Sequence, residues 1–367
     1  MTLGSIYSAT DKALFDAINQ KSVTAQDLRE LFLKHGIIIS RSTPRHILAM
    51  HFARLMHDYQ DFESLACLFD TVQRRERLSS LRLASSANAE DIETAAHEVV
   101  AKLKEASDVA SVTVQADGSL QLLVRYRKLH FNKSEFRQVE VKEAIVTLER
   151  EGDVIIVRGP QNEKVDEICN ELISNIEAKA AGEVKIERID LQSFPDSKAR
   201  TQFFRHLIDD VPGYKRNDVT DVFLFNPTKD IRSSDDAESD NEDSEIEPET
   251  DLGIHISRAS LKGGQVLEST EMKDLLAKGF YVSKIVWKAR EASFDADLVE
   301  FEAQFSEPET CTKFSYLVKG YLEYQEEGKF SDHRKQFGST RDREIGKLIE
   351  TSARTAIQKL RNSEGIS

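Results

Sequence analysis

Basic and aromatic side chains alternate in a stretch near the middle of the 367-residue sequence. The cations of this stretch are Arg125, Arg127, Lys128, Lys133 and Arg137. Alternate residues of a β-strand share a face, so we expect Arg125 and Arg127 on one face and Tyr126 on the other. A sheet that holds a phosphate backbone and stacks bases needs such charges and rings. The pattern predicts a nucleic-acid-binding strand, with a solvated outer sheet face as the alternative.

A second basic stretch lies near the end of the sequence, between residues 329 and 361. Its candidate phosphate-binding residues are Arg334, Lys335, Arg341, Arg343 and Lys347. We expect Ser339 or Thr340 to cap the last helix, which would leave the first N–H groups of that helix free for an anion. The alternative is a helix whose charged side chains are solvated.

Ten carboxylates and no Lys or Arg occupy residues 235–251. Only Ala237 and Ile246 are apolar there, so little burial can offset the entropy of ordering. We therefore expect residues 231–251 to be a disordered acidic linker; the alternatives are a run that competes with nucleic acid for basic residues and a docking segment for a basic partner. The net charge of −14 comes mostly from this run, because the rest of the chain carries 50 positive and 54 negative side chains. Overall acidity therefore does not exclude nucleic-acid binding.

Familiar catalytic and metal-binding patterns are absent from the sequence. The three cysteines, Cys67, Cys169 and Cys311, form no CxxC or Cys/His cluster, and the nine histidines form no HxH or HExxH pattern. No P-loop, GxSxG or GxGxxG is present. The sequence therefore predicts free thiols, no cofactor, no metal site and no catalytic centre. His51 and His57 lie in apolar helical patterns, which we interpret as core or surface positions.

A divergent metal-dependent nuclease is the catalytic alternative. Glu183 and Lys185 form an ExK pair on a predicted strand, and Asp153 opens an earlier predicted strand. Such an enzyme holds Mg²⁺ with carboxylates from neighbouring strands. A whole predicted helix separates Asp153 from Glu183 in the sequence, and this disfavours the nuclease.

The N-terminal part, residues 1–85, is predicted to be a small helical module. We expect helix throughout residues 10–83, with Thr24 and Asp27 as a variant capping box and Pro44 in the first turn of a further helix. The segments LRELFLKHG and RHILAMHFARL, joined by IIISRST, resemble helix–extended–helix modules that contact DNA. A helical docking domain is the alternative.

Two sheet-containing units are predicted beyond this module, at residues 88–230 and 252–367. Asp117-Gly118 and Glu151-Gly152-Asp153 separate alternating runs of residues and predict two hairpins. The order of elements predicts the α+β class, in which antiparallel sheets carry helices. We thus expect a helical module and two antiparallel-sheet-plus-helix units separated by the acidic linker, the second unit ending in a basic helix.

These features favour a non-catalytic nucleic-acid-binding or scaffold subunit of a larger intracellular complex, which binds mainly through phosphate contacts. DNA is favoured over RNA, and other protein subunits are expected as partners. A protein-interaction adaptor without nucleic-acid binding is the alternative. The sequence has no signal-peptide pattern and no apolar run of about 18 residues, so we expect no membrane association; no small-molecule substrate is evident.

Overall fold

The computed structural model of the protein describes most of the chain. The described residues are 10–20, 23–58, 61, 64–65, 75–130, 136, 139–180, 184–227, 257–293 and 295–364. The predicted disordered acidic linker, residues 231–251, lies outside the described residues.

Eight α-helices are present in the described ranges. They are α1 (Asp11–Ile18), α2 (Ala25–Lys34), α3 (Arg45–Ala53), α4 (Ala89–Glu105), α5 (Glu163–Lys179), α6 (Ser197–Asp209), α7 (Thr270–Ala277) and α8 (Ser339–Glu364).

Eleven strands form one antiparallel sheet, and this confirms the predicted α+β class with its antiparallel sheet. The strands are β1 (Leu78–Ala84), β2 (Val109–Val114), β3 (Leu120–Leu129), β4 (Val139–Glu151), β5 (Val154–Pro160), β6 (Lys185–Arg188), β7 (Tyr214–Phe225), β8 (Arg258–Lys262), β9 (Tyr281–Glu291), β10 (Leu298–Glu307) and β11 (Thr312–Leu322). Their order is β2-β3-β4-β5-β1-β11-β10-β9-β7-β8, and β6 also pairs with β1.

Local sequence signals account for the start of several helices. The predicted capping box opens α2, because the Asp27 N–H donates to Thr24 Oγ1 at 3.2 Å and the Thr24 N–H donates to the Asp27 carboxylate at 2.7 Å. Pro44 is the residue directly before α3. An N–H at this position would have no acceptor within the helix, so the missing N–H of proline costs no hydrogen bond. Side-chain oxygens of Asn162, Asp196 and Ser269 cap α5, α6 and α7.

Two glycines make the predicted hairpin turns possible. Gly118 has φ 79° between β2 and β3, and Gly152 has φ 63° between β4 and β5. Such positive φ angles suit glycine because it carries no Cβ. Both predicted hairpins are confirmed.

Segment Leu78–Ala84 is strand β1, so the prediction of helix throughout residues 10–83 is wrong at this point. Leu81 and Leu83 are buried while Arg82 between them is partly exposed, which is the two-residue period of a strand. β1 pairs along its whole length with β5. The two-residue period covers too few residues of β1 to indicate a strand from the sequence, and backbone pairing with β5 therefore determines its conformation.

The helices α1–α3 pack around their own apolar core. Leu14, Leu28 and Leu48 are buried there together with two aromatic rings. The rings of Phe32 and Phe52 meet edge to face with 5.2 Å between their centroids. The repeat of apolar residues every three to four positions puts these side chains on one face of each helix.

The largest core lies between α6, α8 and the strands β7, β9, β10 and β11. Trp287 on β9 is fully buried and stacks on Phe301 of β10, with 5.1 Å between ring centroids. Phe203 and Phe204 of α6 and Ile349 of α8 are buried in the same core. This core holds the C-terminal helix against the sheet.

The chain divides into two compact units. One contains Met1–Arg75, Val100–Val112 and Leu122–Ile145, and the other contains Glu76–Val99, Thr113–Gln121 and Val146–Ser367. The domain boundaries expected at residues 85, 230 and 251 remain predictions. None of the described helices is both long enough and apolar enough to cross a membrane.

Candidate functional site

Buried and exposed side chains alternate along most of strand β3. Leu122, Val124 and Tyr126 are buried, whereas Arg125 and Arg127 are exposed. This alternation confirms the expected grouping of the two arginines on one face. Tyr126 is only 8% exposed, so the expectation that its ring is available to stack on a base is wrong.

Strand β4 lies beside β3 and adds aliphatic side chains to the same face. Arg125 Nη2 donates to Glu143 Oε2 at 3.0 Å, so the odd-numbered side chains of the two strands share a face. Four aliphatic residues on this face are 36–42% exposed: Leu129, Val139, Val141 and Ile145. We call these four residues, with Arg125, Arg127 and Glu143, the outer β3–β4 face.

The sequence of β4 indicates this aliphatic row, because apolar residues occupy both its odd and its even positions. Strand β4 is apolar on both faces, because Val146 and Leu148 point into the core while Val141 and Ile145 are exposed. An antiparallel strand with one solvated face normally carries polar residues on that face. Exposed aliphatic residues in such a row are typical of a surface that another molecule covers.

The charges of this region are only partly neutralised. Arg125 pairs with Glu143, and His130 Nε2 lies 2.7 Å from a Glu140 carboxylate oxygen. Within the described ranges, the side chains of Arg127 and Lys128 have no ion pair or hydrogen bond. Two further predicted nucleic-acid contacts, Lys133 and Arg137, lie outside the described residues. Arg127 is therefore a cation that has no partner among the described residues and shares its face with aliphatic side chains.

The candidate cations near the end of the chain have carboxylate partners instead. The pairs are Arg334–Glu300 at 3.0 Å, Lys335–Glu323 at 2.7 Å, Arg341–Glu291 at 2.6 Å and Lys347–Glu149 at 2.8 Å. Burial opposes ionisation of Glu300, but Lys319 and Arg334 outweigh it and lower the pKa of that carboxyl group. Of the five predicted residues, Arg343 alone is without an ion pair in the described part of the chain. A phosphate would have to displace carboxylates at the other four.

The start of helix α8 differs from the expected anion site. The helix begins at Ser339, so Ser339 and Thr340 lie in its first turn and the expectation that one of them is the cap is wrong. The Asp342 N–H donates to the Gly338 carbonyl at 3.0 Å. Asp342 also places a negative charge at the positive end of the helix dipole, and this charge disfavours a second anion there.

Lys347 belongs to a buried network of charges. Arg158 on β5 donates from Nε to both Glu350 oxygens, at 2.8 and 2.9 Å, and from Nη1 to Glu149 at 2.6 Å. Tyr316 donates its hydroxyl to Glu350 at 2.7 Å. Burial disfavours the charge on Arg158, but the two carboxylates outweigh burial and raise the pKa of the guanidinium. These contacts fix α8 to the sheet, so Lys347 has a structural partner.

A cleft of about 500 Å³ lies among the described residues of α5 and strands β1, β5 and β11. It opens where β11 pairs with β1 at Leu78 and β6 pairs with β1 from Leu81 onward. Asp166 and Cys169 on α5 line it, and burial raises the pKa of both, that of Cys169 to about 12. The thiol is therefore protonated at neutral pH and is a poor nucleophile.

Two residues of the nuclease alternative, Asp153 and Lys185, lie on opposite sides of strand β1. Ala84 on β1 pairs with Val154 on one side and with Lys185 on the other. Strand β1 therefore stands between Asp153 and Lys185, a separation of about 10 Å at the usual strand spacing. Glu183 lies outside the described residues. The nuclease alternative requires carboxylates on neighbouring strands to bind one metal ion, and this arrangement does not provide them.

Comparison with models of protein families found no match to this chain, and comparison with curated proteins found none either.

Proposed function

We propose that the protein is a binding subunit of a larger assembly, and that it docks a partner protein on the outer β3–β4 face. The observation that carries this proposal is the free Arg127 side chain among exposed aliphatic residues. The matching partner segment carries aliphatic side chains and at least one carboxylate. An acidic, aliphatic strand or helix has that chemistry.

Aliphatic burial supplies the affinity in this proposal. Full burial of a Val, Leu or Ile side chain contributes about 1.5–3 kcal/mol. The four aliphatic residues keep about two fifths of their surface exposed, so each has roughly 1 kcal/mol left to contribute on docking. Arg127 then selects an acidic partner. Docking would bury the guanidinium, and a carboxylate of the partner opposite it provides the ion pair that an apolar segment would not.

Nucleic-acid binding is the second candidate function, and it rests on the free side chains of Arg127 and Lys128. Phosphate binding by these cations requires no aliphatic neighbours. It also gains nothing from Tyr126, which is buried, or from the four C-terminal cations that already pair with carboxylates. The aliphatic row favours a protein partner over a phosphate backbone.

Fluorescence anisotropy separates the two functions. The probes are a labelled peptide that alternates Glu with Val or Ile, a peptide of Glu and Ser, and single- and double-stranded DNA and RNA. We expect the full-length protein to bind the first peptide, with a modest salt dependence, and to bind the other probes far more weakly. Steep salt-dependent binding of an oligonucleotide, lost in Arg127→Glu, would establish the second function instead.

Substitutions on the outer face identify the surface that binds. We expect the double variant Val141→Ser with Ile145→Ser to weaken peptide binding while it stays folded with at most a modest fall in melting temperature, since the two side chains are 42% and 41% exposed. Light scattering of the wild type and of the double variant measures whether either protein forms a dimer. A dimer of this chain that the same double variant abolishes would make a second copy the occupant and would overturn the proposed partner.

A further inference from the structure

Three side chains with metal-binding atoms converge at the edge of the helical core. His35 directly follows α2, His57 follows α3 by four residues, and Asp61 lies one helical turn beyond His57 in sequence. His35 Nε2 is 3.2 Å from Asp61 Oδ1, and His57 Nδ1 is 3.5 Å from Asp61 Oδ2. One donor atom from each residue lies within 4.8 Å of the other two. His35 is distant in sequence from the other two residues and meets them only in the fold.

The three side chains meet at ion-pair distances, without a hydrogen bond at the two ring nitrogens. Both His35 Nε2 and His57 Nδ1 are buried atoms without a hydrogen-bond partner in the described structure. The two nitrogen–oxygen distances suit ligands that share one ion. Two atoms bound to a tetrahedral Zn²⁺ at about 2.0–2.2 Å lie roughly 3.3–3.5 Å from each other. His35 Nε2 lies 3.2 Å from one Asp61 oxygen and His57 Nδ1 lies 3.5 Å from the other, so each imidazole is near ligand spacing from this carboxylate.

The ring of His57 is held in the orientation and tautomer that a metal ligand needs. Its Nε2 lies 2.8 Å from the Phe52 carbonyl oxygen. A carbonyl oxygen can only accept, so Nε2 carries the hydrogen and Nδ1 is the nitrogen that faces Asp61. A backbone carbonyl on the distal nitrogen is the usual second partner of metal-binding histidines. The His57 side chain is 9% exposed and packs 4.7 Å from the Phe52 ring.

The Asp61 carboxylate is also held in place by local hydrogen bonds. The Asp58 N–H donates to Asp61 Oδ2 at 3.2 Å, and the Asp61 N–H donates to Asp58 Oδ1 at 2.9 Å. These bonds leave the Asp61 carboxylate with free acceptor capacity toward the two imidazoles. The side chains of His35 and Asp61 are 22% and 21% exposed, so an ion can enter from solvent.

We propose that His35, His57 and Asp61 bind one Zn²⁺ ion. Two imidazoles and a carboxylate suit Zn²⁺, whereas Mg²⁺ and Ca²⁺ prefer sites made of oxygen ligands. Three protein ligands leave the fourth tetrahedral position for water. The ion ties the end of α2 to the segment after α3, and it thereby stabilises the core that contains Phe32 and Phe52.

Zinc titration of the metal-stripped, full-length protein tests this site. Competition with a chromophoric chelator gives the stoichiometry and the affinity for Zn²⁺ alone. We expect one Zn²⁺ per chain and a higher melting temperature with zinc. Co²⁺ in the same site is expected to give the intense visible bands of tetrahedral coordination.

Conservative variants locate the ion. His35→Gln and Asp61→Asn should each weaken Zn²⁺ binding by more than about 100-fold. Substitution of a residue that only hydrogen-bonds to a metal ligand already lowers metal affinity by about 10–100-fold, and loss of a ligand itself should cost more. His51→Gln is the matched control, because His51 is an exposed histidine on α3 away from the cluster. No binding of Zn²⁺, or binding that His35→Gln and Asp61→Asn leave unchanged, would overturn the proposal. Neither result bears on the outer β3–β4 face, which uses other residues.

Discussion

The two basic stretches of the sequence, the one around β3 and the one near the end of the chain, each offer five candidate cations but have different surroundings in the structure. On the outer face, Arg125 is paired and Arg127 is free, and the neighbours are exposed aliphatic side chains. In the C-terminal stretch, four of the five predicted cations pair with carboxylates. A count of Lys and Arg therefore predicts a binding surface only where the fold leaves the cations without partners.

The two regions differ because the strands beside them carry different side chains. Strands β9 and β10 and the residue after β11 supply Glu291, Glu300 and Glu323 to the C-terminal cations. Strand β4 supplies mostly aliphatic residues to β3. The first arrangement stabilises the chain's own structure, and the second leaves a surface whose apolar area and charge are available to another molecule.

The largest effect should follow from breaking the buried network that contains Lys347. Arg158→Ala leaves the buried carboxylates of Glu149 and Glu350 without their central cation. We expect the free energy of unfolding to fall by about 3–5 kcal/mol, measured by urea denaturation. Arg334→Ala, which removes an arginine of a half-exposed pair, should lower it by less than about 1 kcal/mol. Equal losses in the two variants would contradict the structural role of this network.

The aliphatic row should dominate binding at the other region. We expect Val141→Ser with Ile145→Ser to weaken binding of the Glu/Val/Ile peptide roughly 10–30-fold, because about 1 kcal/mol is lost at each side chain. Circular dichroism and the melting temperature serve as controls for folding. Unchanged affinity in a folded variant would place the docking site elsewhere.

Charge reversal compares the free cation with a paired one. Arg127→Glu should weaken peptide binding about tenfold, since it adds repulsion against the acidic peptide. Lys128→Glu, the adjacent residue on the alternate side of β3, and Arg334→Glu, in the C-terminal stretch, are the matched controls and should change the affinity less than about threefold. An effect of Arg334→Glu as large as that of Arg127→Glu would remove the distinction between the two regions.

Acid should weaken the C-terminal region through its paired carboxylates. The pKa of Glu300 is lowered in the folded protein from the ordinary value of 4.5, so this group contributes stability above pH 4.5 and loses it as the pH falls below that value. We expect the urea midpoint to fall between pH 6 and about pH 3.5, and to fall less in Glu300→Gln. An identical pH dependence in both proteins would exclude this contribution.

Much of the secondary structure could be predicted because its signals are local. Asp117-Gly118 marks a hairpin turn, and Thr24 with Asp27 marks a helix start, through contacts a few residues apart. Strand β1 was missed because its pairing with β5 joins residues far apart in sequence. Ion pairing was missed for the same reason, since 192 residues separate Arg158 from Glu350.

The candidate sites were harder to predict than the elements that carry them. Burial of Tyr126 and exposure of Val141 depend on which face of the strand meets the core. The proposed zinc ligands follow no familiar spacing, because His35 comes from a different helix end than His57 and Asp61. Sequence patterns report such residues only when the ligands are close along the chain.

The most direct test of the docking proposal is the affinity of one protein for two probes at matched salt. The probes are the labelled Glu/Val/Ile peptide and an oligonucleotide, measured with the wild-type chain and with the Val141→Ser, Ile145→Ser variant. We expect the peptide to bind the wild type, to lose affinity roughly 10–30-fold in the variant, and to exceed the oligonucleotide in affinity. Preferential oligonucleotide binding that the variant retains would contradict the account.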